Sequence, residues 1–173
     1  MKQMGTRVVI AAAFAITALL ASQSVAYASG PSVSGGGVVD GALGTTSQLG
    51  FTASSSGGEF LCVMAGRSGG FPFGPWASVA QMQVKGSVSG PVTVSGGVAS
   101  FSGTATIHVV GTALSGGVLT MTVPNVPYTS RQTAGGAGVA THRLEVVLPG
   151  FGAMSFPGIG MAPLRSGHIT IWQ

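Results

Sequence analysis

Val98-Ala99-Ser100-Phe101-Ser102-Gly103-Thr104-Ala105-Thr106-Ile107-His108-Val109-Val110 decides the class of fold. The stretch alternates apolar or small residues with Ser and Thr, and it is rich in β-branched side chains. That is the period of a half-buried strand and not of a helix. Ile107 and Val109 point to one face, read as the core, and His108 to the other. Thirteen residues exceed a usual strand, so a bulge or bend is expected near Gly103.

Working outward, similar short runs recur, with glycine pairs between many of them. Strands are expected near Gly37–Asp40, Ser47–Ala53, Glu59–Met64, Ala80–Val88 and Val92–Ser95 on the near side. Beyond the opening stretch they are expected near Val118–Val123, Pro127–Gln132, Thr141–Leu148 and Gly167–Trp172. Gly57-Gly58, Gly96-Gly97, Gly116-Gly117 and Gly135-Gly136 supply turns. In Thr141–Leu148, His142, Leu144, Val146 and Leu148 share a face. In the last run Ile169 and Ile171 share the core face, with His168, Thr170 and Trp172 opposite.

Composition agrees with that pattern. Of 173 residues, 30 are Gly and 9 are Pro, while 45% are hydrophobic and 6% charged. No segment after residue 28 keeps a helical period for three turns, which excludes a helical bundle. Low charge with high hydrophobicity excludes a largely disordered chain. The expectation is all-β: a single immunoglobulin-like β-sandwich or a small closed barrel of about eight to ten short strands.

Residues 1–28 read as a signal peptide. Lys2 and Arg7 make a basic start, Val8 to Ala21 is an uncharged run, and Ala26-Tyr27-Ala28 is a cleavage site of small residues. Cleavage is expected after Ala28, giving a secreted, extracellular protein without a transmembrane helix in its mature chain. Residues 29–36 read as a flexible Ser/Gly lead and 37–173 as the β-domain. The mature chain keeps five basic and three acidic residues, a net charge of +2, and the basic residues are scattered singly. Nucleic acid is excluded as a partner, because phosphate neutralisation needs clustered Lys and Arg. Cys62 is the only cysteine, so the core must hold the fold without an intrachain disulfide.

The order of motifs has a likeness. Gly35-Gly36-Gly37 leads to Leu49-Gly50-Phe51, and Gly58 opens Glu59-Phe60-Leu61. Val84-Lys85-Gly86-Ser87-Val88 precedes the alternating run from Val98 to Ala105. Val126-Pro127-Tyr128-Thr129 and Gly135-Gly136-Ala137-Gly138 follow, and the chain closes on Ser166-Gly167-His168-Ile169-Thr170-Ile171. Over about residues 35–172 this resembles the post-COAP domain, a small immunoglobulin-like β-sandwich module of exported bacterial proteins. The resemblance implies an accessory or structural role and brings no catalytic site with it.

Few side chains offer chemistry. Gly66-Arg67-Ser68-Gly69-Gly70 matches the G-x-S-x-G nucleophile elbow, but Phe71-Pro72-Phe73-Gly74-Pro75 forbids the helix that an elbow requires. A chain this rich in Gly and Ser produces the pattern roughly 0.7 times by chance. His108, His142 and His168 lack the close spacing of metal ligands, although sheet pairing could bring His108 to His168. Asp40, Glu59 and Glu145 are the whole carboxylate inventory of the mature chain, and their spacing predicts no catalytic pair. Cys62 sits in the apolar run Phe60-Leu61-Cys62-Val63-Met64 and reads as a buried thiol. Neither a cofactor nor a metal is expected.

Phe71-Pro72-Phe73-Gly74-Pro75-Trp76 is the most distinctive stretch. It is either an exposed aromatic loop, with Phe71, Phe73 and Trp76 offered to a partner, or a cover folded over one end of the sheets. The leading function is an exported non-enzymatic β-domain with a structural, surface or binding role. Its partner would be a cell-envelope component, a glycan or a protein. The alternatives are a small secreted hydrolase using Ser68 or a histidine site, and a small membrane β-barrel. The last would need an outward apolar band.

Overall fold

The computed structural model describes residues 30–41, 44–65, 70–156 and 160–173. The proposed signal peptide and Ser68 lie outside the described residues. The protein is all-β, with twelve strands in one hydrogen-bonded sheet. They are β1 (Ser32–Asp40), β2 (Thr46–Ser54), β3 (Gly57–Ala65), β4 (Phe71–Phe73), β5 (Trp76–Val88) and β6 (Thr93–Ser95). After these come β7 (Val98–Ala113), β8 (Val118–Thr133), β9 (Gly135–Gly136), β10 (Thr141–Leu148), β11 (Gly152–Phe156) and β12 (Ala162–Trp172).

Eight of the strands are long, and each pairs antiparallel with the next long strand in the chain. The path runs β1, β2, β3, β5, β7, β8, β10. β12 then pairs with β1 along most of its length, and with β10 through Thr141 opposite Pro163 and His142 opposite Ala162. The pairings thus form a cycle of eight strands. The four short strands hang on it: β4 on β5, β6 on β7, β9 on β12 and β11 on β10.

Side-chain alternation separates an apolar interior from a polar exterior. Along β7, Ala99, Phe101, Ala105, Ile107 and Val109 are buried, while Ser102, Thr104 and Thr106 are exposed. His142, Leu144, Val146 and Leu148 of β10 are all buried, as the alternation predicts. In the interior, Phe60 stacks on Tyr128 at 5.2 Å between ring centroids, and Phe101 meets Phe51 at 5.6 Å.

β11 was not expected and β12 starts earlier, at Ala162 and not Gly167; three further differences bear on the argument. β1 starts at Ser32, so most of the segment read as a flexible lead is paired on both sides, Ser34 lying between Thr52 and Thr170. The glycines there serve close packing: a Cβ at Gly37 would overlap the Ser166 carbonyl oxygen, and one at Gly167 would overlap that of Gly36. Second, Val118–Val123 and Pro127–Gln132 belong to one strand, β8. Pro124 and Asn125 form a bulge in it, opposite the step from Ala105 to Ile107, and Asn125 takes φ 57°. The irregularity expected near Gly103 therefore falls just beyond it, with the extra residue on the partner strand. Third, Phe71–Trp76 is a tight hairpin joining β4 to β5 and not an irregular loop.

Candidate functional site

The histidines come out in three different settings. His108 is half-buried on β7 beside Gln83 and Thr122. His168 is exposed on β12, with Nδ1 3.2 Å from the Thr170 hydroxyl. β8 and β10 lie between β7 and β12 on the pairing path, so sheet pairing does not bring His108 to His168. Among the described residues no three His, Cys, Asp or Glu side chains gather to hold a metal. The carboxylates are equally dispersed. Asp40 pairs with Arg165 at 3.2 Å on the surface, and Glu145 pairs with Arg143, which also donates to the Ser155 hydroxyl.

Cys62 is buried on β3. Burial pushes its thiol up to about 12, against a smaller opposing effect of the Ser47 hydroxyl, so the group stays protonated and unreactive. The aromatic hairpin is largely inward. Trp76 is 1% exposed, its indole Nε1 donates to the Leu119 carbonyl at 3.0 Å, and its ring lies nearly parallel to Phe73 at 5.9 Å. Phe73 in turn meets Phe151 at 5.1 Å, and Phe71 and Phe73 are half-buried against the core. Of the three residues offered as an aromatic binding loop, Trp76 is therefore inaccessible, because the hairpin folds it into the interior.

His142 belongs to a buried polar cluster. Its ring lies against Phe51 and Phe60, at 6.5 Å and 6.1 Å between centroids. The Gln132 side-chain amide donates to the Ser130 hydroxyl at 2.5 Å and toward His142 Nδ1 at 3.5 Å. That arrangement leaves the imidazole proton on Nε2. His142 Nε2, Gln132 Oε1 and the Tyr128 hydroxyl are all buried without a hydrogen-bond partner among the described residues. Burial lowers the His142 pKa to about 4 and raises that of Tyr128 to about 12, so both are neutral near pH 7.

The outer wall carries a different feature, a trough of about 650 Å³ crossing β2, β3, β5 and β7. Its floor is the registered row Phe51, Phe60, Gly86, Ala105, three of whose side chains turn inward while Gly86 has none, leaving bare backbone outside. One wall is the row Thr52, Glu59, Ser87, Thr104. The other is Gly50, Leu61, Lys85, Thr106. Asn125, on the β8 bulge, also lines it. Gly50 opens one wall, since nothing lies within 4 Å of where its Cβ would be. Among the described residues neither Glu59 nor Lys85 makes an ion pair.

The sequence offered Glu59 as one of three carboxylates and placed Glu59 and Lys85 within strand motifs, but it assigned no site to Glu59, Lys85, Thr52 or Thr104. Their assembly depends on register across four strands, which no local pattern encodes. The alternation of outward Thr, Ser and charged residues was the one available signal. Comparison with protein-family models, with curated proteins and with solved structures returned no match.

Proposed function

We propose that the protein is an exported, non-enzymatic β-domain with a binding or structural role at the cell exterior, and that the outer-wall trough is its contact surface. The trough carries this reading. It is the site where exposed polar side chains, two unpaired charges and an open floor converge on a rigid, fully laddered sheet. The buried candidates point elsewhere: Cys62 and His142 are sealed from solvent, and the polar groups beside them, the Ser47 hydroxyl and the Gln132 amide, are neutral.

The architecture proposed with this function is a closed barrel. An immunoglobulin-like sandwich uses Greek-key connections, which place non-consecutive strands side by side. Here successive long strands are neighbours and β12 returns to β1, the order of an up-and-down barrel. The basic-apolar-small pattern of residues 1–28 supports export through a cleaved signal peptide.

The membrane-barrel alternative fares worse, since outward positions such as Lys85, Thr104, Thr106 and Arg131 are polar, and exposed apolar residues such as Leu61, Val118 and Val147 are scattered among them instead of forming a continuous band. No helix among the described residues is long and apolar enough to cross a membrane. The test is to express the full chain with a C-terminal tag and fractionate the culture. Tagged protein lacking residues 1–28, in the medium or retained on purified cell walls, is the expected result. Retention of the tag in the cytoplasm would overturn export, and p-nitrophenyl ester hydrolysis removed by Ser68→Ala would reinstate the hydrolase.

A further inference from the structure

We propose that the trough is a binding groove for a neutral oligosaccharide, an inference that rests on the binding-module reading and deepens it. Three observations select this class of ligand. First, the trough lies on the face of the sheet and not at its edge. The backbone groups of β2, β3, β5 and β7 are engaged in ladders on both sides, so an extended peptide finds no strand to pair with. Recognition there must run through side chains, and the ligand must carry its own hydrogen-bonding groups along its length.

Second, the charge at the site is balanced. Glu59 and Lys85 stand on adjacent strands in opposite walls, Glu59 opposite Ser87 and Leu61 opposite Lys85. A strongly anionic ligand would meet the Glu59 carboxylate, and a cationic one the Lys85 ammonium. A neutral polyol meets neither penalty. Its hydroxyls can donate to the carboxylate and accept from the ammonium, and such charge-assisted bonds are stronger than neutral ones. The hydroxyls of Thr52, Ser87, Thr104 and Thr106 both donate and accept, which suits a hydroxyl-rich partner.

Third, the shape fits a chain of rings. The floor crosses four strands, a span of about 15 Å at the usual strand spacing. It is backbone bare of outward side chains, and Leu61 presents apolar surface beside it for the carbon–hydrogen face of a sugar. The gap in the wall at Gly50 leaves one end open, so a longer glycan can continue past the groove.

Isothermal titration of the purified protein with three neutral hexasaccharides tests this: β-1,4-linked glucose, β-1,3-linked glucose and β-1,4-linked N-acetylglucosamine. At least one should bind. Gly50→Phe should abolish that binding with an unchanged melting temperature, because its side chain enters open space and the Gly50 backbone is not in the glycine-only region. Glu59→Gln should weaken it about tenfold, the usual effect of removing a charged hydrogen-bond partner. Binding that survives Gly50→Phe would overturn the trough as the site while leaving a binding module. Failure of all three sugars, with the protein still retained on purified cell walls, would overturn the ligand class and not the module. Failure of both would overturn both.

Discussion

Two aromatic clusters fill the interior near opposite ends of β7, but among the described residues only the first has its polar atoms satisfied. At the end where Trp76 lies opposite Ala113, Trp76, Phe73 and Phe151 stack in sequence, and the one buried polar atom, the indole nitrogen, reaches the Leu119 carbonyl. At the other end Gln132 lies opposite Ala99, and Phe51 and Phe60 hold His142 against the Gln132 amide. Among the described residues, His142 Nε2, Gln132 Oε1 and the Tyr128 hydroxyl there lack partners. An unsatisfied buried group carries a desolvation cost that a satisfied one does not. The first end is a cover that packing alone stabilises. The second holds neutral polar groups whose balance a proton can upset.

Truncation should give the largest contrast. Phe60 is fully buried and contacts Phe51, Phe101, Tyr128 and His142. Phe60→Ala should cost about 3–5 kcal/mol in urea-monitored unfolding, the usual loss for a large core aromatic. Half-buried Phe73, with solvent on one side, should cost less than half as much when changed to Ala. Equal losses would mean that the cover is as tightly packed as the centre, and the contrast would fail.

Acid should act on one end only. In the unfolded chain His142 titrates near 6.5, and in the folded protein burial lowers it to about 4. Between these values the unfolded state binds the proton and the folded state does not. The His142 contribution is therefore fully present above pH 6.5 and is lost as pH falls toward 4. The size of the shift corresponds to about 3 kcal/mol. Urea midpoints measured from pH 7.5 to 4 should fall steeply for the wild type and less for His142→Leu. Parallel profiles would mean that His142 is not the group responsible. The contact of Trp76 with Phe73 and the Leu119 carbonyl has no titratable member, so substituting it should not alter the slope.

How far each end was legible follows from which forces are local. The inward face of β10 and the strand core of β7 were readable, because alternation is written residue by residue in Thr141–Leu148 and Val98–Val110. That placed His142 beside Leu144 and Val146. It did not disclose Gln132 and Ser130 as its companions: both fell within the expected strand Pro127–Gln132, but the register that sets that strand against β10 is a long-range pairing that no local pattern encodes. The bulge at Pro124 and Asn125 keeps β8 continuous, and only the ladder with β7 reveals that. Gly35 and Gly36 were misread for a similar reason. Glycine signals freedom in isolation, yet here it permits close approach to β12 at Gly35 and to β2 at Gly36. The trough required register across four strands and was not readable at all.

The smallest effect tests the cover itself. Trp76→Phe keeps most of the ring packing against Phe73 and loses the hydrogen bond to Leu119, so it should cost about 1 kcal/mol. Fluorescence then separates the two tryptophans. Trp172 is 51% exposed at the end of β12, whereas Trp76 is 1% exposed. With Trp76 replaced, the remaining emission should be red-shifted and strongly quenched by acrylamide. In Trp172→Phe it should be blue-shifted and resistant to quencher. Quenching of Trp76 would mean that the hairpin opens in solution, and Phe71, Phe73 and Trp76 would then become a second surface able to meet a partner.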